Sequence, residues 1–515
     1  MDDVILFWND VALDANRESQ TDGKGEQTGP ARASRALAIV HLAIYDAFVG
    51  VYNLTAPTPL APYLSAPVVG APAAGASLEA AVSAAARAAL SNLFPSQRSV
   101  VASQVIISDA IYVDRSLGAA DVSAGRAYGE AVASRILNVR RDDPTAERGR
   151  YMPKSDRGKH RADPDNPTQG FHGPRYGARS DCFSCTRRFK LDPPPQPGDP
   201  MYTAALKQVR YKGIAPHLMG TLPDLSGTAP PEVRRTADET LRGIFWAYDG
   251  AVGLGTPPRF YNQIVRIVAK NVPNPANGTP STLNTPAHNA RLFALVNTAL
   301  ADAGILAWEQ KYEHDFWRPV VGIREHGPSL GPAATSGAND IDADADISWL
   351  PLGAPATNTT MKNMTPNFPA YPSGHATFGA AAFQITRRFY GESIGPPSSM
   401  ADALFRTAAG DLGIVSDELN GINRDNQGTV RPRHVRSFPD GLFGMIIENG
   451  RSRVDLGVHW VFDSFAVDAN DSPSLGLNVN LAARVAGVGG VPLGLAIADD
   501  IFGTGMSAMG APGSS

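Results

Sequence analysis

Three short stretches of this chain, far apart in sequence, together hold the side chains that one anion site requires. They cover residues 311–319, 371–375 and 452–463 and supply three cations, a hydroxyl at a helix start and two histidines. Such a set can enclose a tetrahedral oxyanion only if its members meet in space. The fold must therefore bring the three stretches together, and the cage they would form indicates an enzyme.

The first stretch carries two of the cations. Lys311 and Arg318 stand seven residues apart, which is two turns of an α-helix, so both side chains would project from one face, and Trp308 falls on that face too. Because Pro319 breaks a helix, we expect Arg318 near a helix C-terminus, facing a cavity. The alternative is an ordinary solvated face whose acidic neighbours pair with these cations.

The second stretch is typical of a helix N-terminus. Pro372 favours extended backbone before it, Ser373 suits the N-cap, and Gly374 lets the backbone approach a ligand closely. The first N–H groups of the helix would then point at an anion. A plain cap without a ligand is the alternative for Ser373, but His375 beside it could move a proton during chemistry.

The third stretch holds the remaining cation and the second histidine. Arg453 precedes His459 by six residues, and Asp463 follows His459 by four, which makes the histidine and the aspartate neighbours on a helix. A carboxylate beside an imidazole fixes its tautomer and leaves the other ring nitrogen free as a metal ligand or a nucleophile. A satisfied polar pair without a catalytic role is the alternative.

The three motifs occur together and in order, as Lys-x6-Arg-Pro, Pro-Ser-Gly-His and Ser-Arg-x3-Gly-x-His-x3-Asp. In this combination the chain resembles the vanadium-dependent haloperoxidases, which share their anion site with the type 2 phosphatidic acid phosphatases. Residues 7–17, Gly29-Pro30 and residues 35–52 also resemble the N-terminal region of the haloperoxidases. Small bacterial acid phosphatases lack that region.

The resemblance implies a role for each motif residue. His459 would be the axial ligand of vanadium, with Asp463 behind it, and His375 would be the acid–base residue. The vanadate oxygens would be held by Lys311, Arg318, Ser373, the Gly374 amide and Arg453. Vanadium would stay oxidised and act as a Lewis acid, so that hydrogen peroxide oxidises halide to hypohalous acid, which halogenates small organic acceptors. Lys311 would further polarise the bound peroxide.

Two aromatic positions bear on the choice of halide. Trp308 and Phe368 match the fungal chloroperoxidase pattern, whereas algal bromoperoxidases commonly carry a histidine where Phe368 stands. An apolar surface here would partly desolvate the halide and favour the harder oxidation of chloride. The alternative is that both aromatic residues serve only in packing.

Two other functions remain open at this point. A soluble acid phosphatase could use the same side chains, with His459 as nucleophile, Asp463 orienting it and His375 protonating the leaving group. An anion-binding or storage protein would instead bind oxyanion tightly and show no peroxide-dependent turnover.

Composition limits the partners of this chain. Its 515 residues carry a formal net charge of −4 and a sequence pI of about 6.2, which is not the basic balance of a nucleic-acid binder. No uninterrupted apolar run of about 18 residues is present, and the first residues lack the basic start of a secretory signal. We expect a soluble protein without a membrane partner, cytoplasmic or exported after processing.

Helical periodicity predicts a mostly α fold, and the resemblance implies two helical bundles around the anion site. We predict one unit over residues 1–515, with a helical part at about 1–280, a part bearing the site at about 281–500 and a flexible tail at about 503–515. The resemblance adds an expectation of a homo-oligomer. Strand signals are sparse, and His41 is expected in the core. The predicted helices cover residues 34–52, 77–94, 98–139, 231–247, 258–271, 285–318, 374–390, 400–412, 441–468 and 476–487.

Three further features complete the sequence analysis. Two cysteines, Cys182 and Cys185, exclude a disulfide framework and predict either surface thiols or one local bridge. The polar segment 140–200, which contains His172, resembles haloperoxidase segments near the site entrance. Alternating acidic residues suggest a possible calcium site, with a solvated acidic loop as the alternative; these residues are Asp340, Asp342, Asp344 and Asp346.

Overall fold

The structure is a computed structural model of the chain. It describes residues 2–64, 69–143, 151–219, 234–277, 281–325, 345–391, 402–407, 410–411, 413–465 and 487–507.

The described residues are mostly helical, as predicted. The helices are α1 Val4–Ser19, α2 Pro30–Tyr52, α3 Leu78–Leu93, α4 Arg98–Tyr112, α5 Ala119–Val139, α6 Tyr176–Arg179, α7 Pro200–Lys212, α8 Ala237–Phe245, α9 Pro257–Asn271, α10 Pro286–His314, α11 Pro319–Arg324, α12 Gly374–Phe389, α13 Gly441–Asp455 and α14 Gly490–Thr504. Within the described residues, the strands form two antiparallel pairs, and each strand is two residues long. They are β1 Arg406–Thr407 with β2 Gly410–Asp411, and β3 Ile414–Val415 with β4 Val435–Arg436.

The helix α10 lies at the centre of the molecule. Its neighbour α2 packs against α3 and α5 on one side, whereas α12 packs against α10, α13 and α14 on the other. One continuous cluster of buried apolar side chains runs from α1 to α14 through both groups of helices. A smaller cluster, including Tyr202, Trp317 and Trp460, lies beneath the loops that follow α10 and α13. The hydrophobic core therefore supports α10, whose C-terminal end carries the first motif.

Among the described residues, two helices have the length and hydropathy of a membrane span. They are α2 and α10, and 94% of the apolar window in each is buried inside the protein. Such burial is what core helices of a globular protein show. The predicted core histidine, His41 on α2, is confirmed: it is 1% exposed and hydrogen-bonded to Asn9 and to the Leu37 carbonyl.

Several predicted helices end earlier than expected. The helix predicted over 285–318 ends at His314, because Asp315 adopts the left-handed conformation with φ of 55°. The helix predicted over 441–468 ends at Asp455, just before Gly457 with φ of 74°. Two helices with a turn between them replace the helix predicted over 98–139. The described part of 400–412 forms a short 3₁₀ helix and two strands.

Five of these helices were missed by sequence analysis, namely α1, α6, α7, α11 and α14. The predicted tail at 503–515 begins inside α14, since this helix runs to Thr504. The helix predicted at 476–487 lies, apart from residue 487, outside the described residues. So do Asp340, Asp342 and Asp344 of the possible calcium site, and Asp346 accepts a hydrogen bond from the backbone of Ser348.

The two cysteines differ from expectation. Cys182 and Cys185 are free thiols and both are buried, at 9% and 1% exposure, so the prediction of surface thiols is wrong. The turn that contains them is held by Asp302 on α10, whose carboxylate accepts hydrogen bonds from the backbone N–H groups of Phe183, Ser184 and Cys185. Part of the polar segment 140–200 is therefore tied to the central helix.

Glycine contacts bring α14 unusually close to α12. A Cβ atom added at Gly490 would lie 2.5 Å from the Ser373 carbonyl oxygen, and one at Gly494 would lie 2.3 Å from the Thr377 carbonyl oxygen. Only glycine allows this backbone approach. Because Ser373 begins α12, the contact fixes the helix start at which the second motif lies.

We predict that Gly494→Ala lowers stability by about 1–3 kcal/mol, because the new methyl group has no space against α12. The matched control is Gly503→Ala on the same helix, where a Cβ would meet nothing within 4 Å. The control should be stabilised by roughly 0.5–1 kcal/mol through helix propensity alone. Thermal unfolding measures both, and equal effects at the two positions would show that the α12–α14 contact is not tight.

Candidate active site

The three predicted stretches meet at one site, at the ends of four helices. Lys311 lies in the last turn of α10 and Arg453 in the last turn of α13. Arg318 is the N-cap of α11 and Ser373 the N-cap of α12. The prediction that Lys311 and Arg318 share one helix face is thus wrong, since the chain turns at Asp315 between them. Both nevertheless reach the same site from separate helices.

His459 lies in the loop after α13 and not on the predicted helix. It nevertheless pairs with Asp463, as predicted. Its Nδ1 lies 2.7 Å from Oδ2 of Asp463, and the same oxygen accepts the Trp460 backbone N–H at 3.0 Å. Oδ2 is therefore an acceptor, and Nδ1 of His459 donates to it. Nε2 keeps its lone pair and accepts a hydrogen bond from Nη1 of Arg318 at 2.9 Å. This tautomer leaves a nitrogen suited to bind a metal.

Burial controls the charge of the His459–Asp463 pair. It lowers the pKa of His459 well below its usual range, and the neighbouring guanidinium of Arg318 lowers it further. Burial also raises the pKa of Asp463 to about 7, while Lys311 and Arg318 pull it down. The imidazole is thus neutral over the working range of an enzyme.

Arg318 reaches the site with one donor nitrogen that makes no hydrogen bond. Its Nε donates to the Phe368 carbonyl at 2.9 Å, and Nη1 donates to the Val458 carbonyl at 2.7 Å. Nη2 is buried and has no hydrogen-bond partner. Burial lowers the pKa of Arg318 to about 9, so the guanidinium still carries its charge at neutral pH.

Lys311 is held by main-chain atoms. Its Nζ donates to the carbonyl oxygens of Pro369, Ala370 and Pro372 at 2.9, 3.1 and 2.6 Å. Burial lowers the pKa of Lys311 well below its usual range, and the charge of Arg318 lowers it further. A negative ligand beside it would restore the charged form.

Arg453 is paired with an acidic residue that sequence analysis missed. Its Nη2 donates to both carboxylate oxygens of Asp249, at 3.0 and 3.1 Å, while Nε and Nη1 are buried without partners. Asp249 follows α8 and belongs to none of the three stretches. A single acidic residue in a turn has no spacing that would reveal it.

His375, on α12, is positioned by α9, α13 and the loop that follows α8. Its carbonyl accepts hydrogen bonds from Tyr261 on α9 and Asn449 on α13, and its Nε2 donates to the Ala247 carbonyl at 2.6 Å. Nδ1 therefore carries the lone pair in the neutral ring. Burial, assisted by the charge of Arg453, lowers the pKa of His375 to about 3.

The unpartnered donors define what the site can hold. Arg318 and Arg453 together leave three buried N–H-bearing atoms without an acceptor, and a buried donor without an acceptor is costly. The N-terminus of α12 adds backbone N–H groups at Gly374 and beyond. A tetrahedral oxyanion supplies several acceptor oxygens and the negative charge that these cations lack. The donor set fits vanadate or phosphate.

A cavity of about 140 Å³ opens beside these donors. Trp308, Phe368 and Phe378 form its aromatic wall, and the rings of Trp308 and Phe368 lie 4.9 Å apart. Phe368 also lies under two cations, with Nζ of Lys311 5.0 Å and Cζ of Arg318 5.1 Å from its ring centre. The two residues predicted to bear on halide choice therefore contact each other beside the anion site.

The polar segment 140–200 contributes one residue to this cavity. His172 lies against Gly29, where a Cβ atom would come within 2.3 Å of the imidazole. The His172 carbonyl accepts hydrogen bonds from Tyr312 at 2.6 Å and from the indole of Trp308 at 3.3 Å. Gly29 thus leaves the space that the imidazole fills, and the segment holds Trp308 in place.

Comparisons with known proteins identify the family of this chain. The Vanadium chloroperoxidase N-terminal domain model matches residues 2–171, and the VCPO second helical-bundle domain model matches residues 291–470. The vanadium chloroperoxidase of Curvularia inaequalis is 35% identical over an alignment 578 positions long, which covers 98% of this chain and 90% of that protein.

Solved structures show the same fold at lower identity. A bacterial vanadium-dependent iodoperoxidase superimposes with a TM-score of 0.60 at 18% identity, covering 96% of this chain and 95% of its own. The holo form of a bacterial vanadium-dependent chloroperoxidase gives a TM-score of 0.54 at 16% identity, covering 95% and 96%.

The fold and the site define a mainly helical enzyme that binds a tetrahedral oxyanion. The chain belongs to the vanadium-dependent haloperoxidase family. The phosphatase alternative is not favoured by these comparisons.

We predict that orthovanadate or phosphate stabilises the protein, because either anion satisfies the unpartnered donors of Arg318 and Arg453. At a concentration of 100 Kd the gain is about 2.7 kcal/mol, measured as a rise in Tm. Arg453→Gln should lose most of this rise relative to its own anion-free Tm. Arg141→Gln, whose parent side chain is 70% exposed, should keep it. An undiminished rise in Arg453→Gln would place the anion elsewhere.

Proposed function

We propose that this protein oxidises halide with hydrogen peroxide to hypohalous acid, using vanadate held by the residues of the candidate site. The observation that carries the proposal is the unprotonated Nε2 of His459 beside buried guanidinium donors that lack acceptors. An imidazole lone pair binds a metal, and the guanidinium groups bind the oxygens around it.

Each charged residue then has a defined task. His459 would ligate vanadium through Nε2, with Asp463 holding the proton on Nδ1. Arg318 and Arg453 would donate to the vanadate oxygens, together with Ser373 and the Gly374 amide, which form the start of α12. The bound metal supplies Lewis acidity that makes peroxide reactive towards halide.

Lys311 would stabilise negative charge, and His375 would transfer protons. Lys311, fixed by three carbonyl groups, would stabilise negative charge on the oxyanion and on the peroxide substrate once the oxyanion has restored its proton. His375 has Nδ1 free to accept a proton while Nε2 donates to Ala247. A neighbouring oxyanion opposes the effect of Arg453 and raises the pKa of His375, which brings it closer to the range of a general acid–base catalyst.

The partners follow from the family. Peroxide and halide are the substrates, and small organic molecules are the proposed acceptors of the oxidised halogen. The homo-oligomer, the absence of nucleic-acid and membrane partners, and the calcium site stay predictions. So does the single structural unit over residues 1–515.

The function is tested by halogenation of monochlorodimedone with the vanadate-free protein, before and after addition of orthovanadate, in chloride and then in bromide. We expect activity only with vanadate, because the Lewis acid is otherwise missing. Release of phosphate from a nitrophenyl ester is measured alongside. Vigorous ester hydrolysis without halogenation would contradict the proposal and assign His459 the role of a nucleophile.

We further propose that the aromatic wall favours chloride. Trp308 and Phe368 offer a halide an apolar surface, because the indole N–H of Trp308 is occupied by the His172 carbonyl, so a halide there loses part of its hydration. An imidazole at position 368 would add a donor, and its protonated form would add a charge.

Phe368→His should therefore shift the ratio of chloride to bromide turnover towards bromide. Phe368→Leu is the matched control, since it removes the ring but keeps an apolar side chain, and it should shift the ratio much less. Steady-state rates in each halide give both ratios. An unchanged ratio in Phe368→His would remove this residue from the explanation of halide choice.

A further inference from the structure

One residue on the cavity surface is chemically unlike its neighbours. Met364 lines the same cavity as Phe368, His375 and His459 and is partly buried there. Its backbone is fixed, because its N–H donates to the Ala354 carbonyl at 3.1 Å and its carbonyl accepts the Ala354 N–H at 2.8 Å. Met364 thus borders the cavity in which the product of the proposed reaction would form.

Hypohalous acid oxidises thioethers. The sulfur lone pair attacks the halogen and releases hydroxide, and water then attacks the sulfur and expels halide. The sum is thioether plus hypohalous acid giving sulfoxide, halide and a proton. Sulfur loses two electrons and the halogen gains two, so the oxidant needed is the one that the proposed function supplies.

Other sulfur atoms in the described residues differ in their access to oxidant. Met152 and Met361 are 76% and 63% exposed, and neither lines the cavity, whereas Met445 is fully buried. Burial raises the pKa of Cys182 and Cys185, which keeps them as unreactive thiols. An oxidant arriving from solvent would meet Met152 and Met361 first, whereas an oxidant formed in the cavity would meet Met364 first.

We propose that Met364 is the primary site of self-oxidation during turnover. The inference rests on the proposed function, because it requires hypohalous acid to be produced in the cavity. Conversion to the sulfoxide places a polar oxygen on a surface formed largely by Pro366, Phe368 and other apolar groups. Halide turnover should decline as this modification accumulates.

The test is peptide mass spectrometry of the vanadate-loaded protein at early times of turnover with bromide and peroxide. We expect the peptide with Met364 to gain one oxygen atom before the peptide regions with Met152 and Met361. Hypobromous acid added as a reagent, without peroxide, should give the opposite order. Peroxide without halide controls for direct oxidation and should leave Met364 unmodified at these times.

Variants test whether oxidation of Met364 causes the loss of activity. Met364→Leu should slow the loss of activity per turnover, with each protein normalised to its own initial rate, whereas Met361→Leu should not. Oxidation of Met152 and Met361 ahead of Met364 during turnover would overturn the inference while leaving the proposed function intact. Absence of vanadate-dependent halogenation in the unmodified protein would instead overturn the proposed function.

Discussion

The burial of three cations at one point is the constraint on which this structure depends. Lys311, Arg318 and Arg453 are at most 1% exposed, so their charged forms repel one another in a medium where water cannot screen them. Carbonyl groups and the carboxylates of Asp249 and Asp463 offset part of this repulsion. The remainder is left for an anionic ligand, so the stability of the protein and its affinity for the cofactor are linked.

Helix ends make this arrangement possible. Arg318 and Ser373 begin α11 and α12, and Arg453 lies in the last turn of α13, so each approaches from a point where the chain turns. Backbone groups at such points are not all used within the helix and remain available to side chains and ligands. The core between α2, α10 and α12 then fixes the helices, and through them the distances between the donors.

Much of the site could be predicted from the sequence, because the three motifs keep fixed spacings and their chemistry is specific. The path of the chain between Lys311 and Arg318 could not, since the left-handed turn at Asp315 depends on tertiary contacts and not on periodicity. Asp249 was missed because its role arises from its position in space. The helix α14 was missed because Gly490 and Gly494, which weaken a helix locally, serve the close approach to α12.

Lys311 is oriented by the main chain of residues 369–372, and this has a consequence for evolution. Carbonyl oxygens are present whatever the side chains, and two prolines restrict the backbone that presents them. The neighbouring position 368 can therefore change its side chain without displacing the cation. The effect proposed for position 368 on halide preference is thereby separable from cofactor binding, so a single substitution there would alter the first while the second is retained.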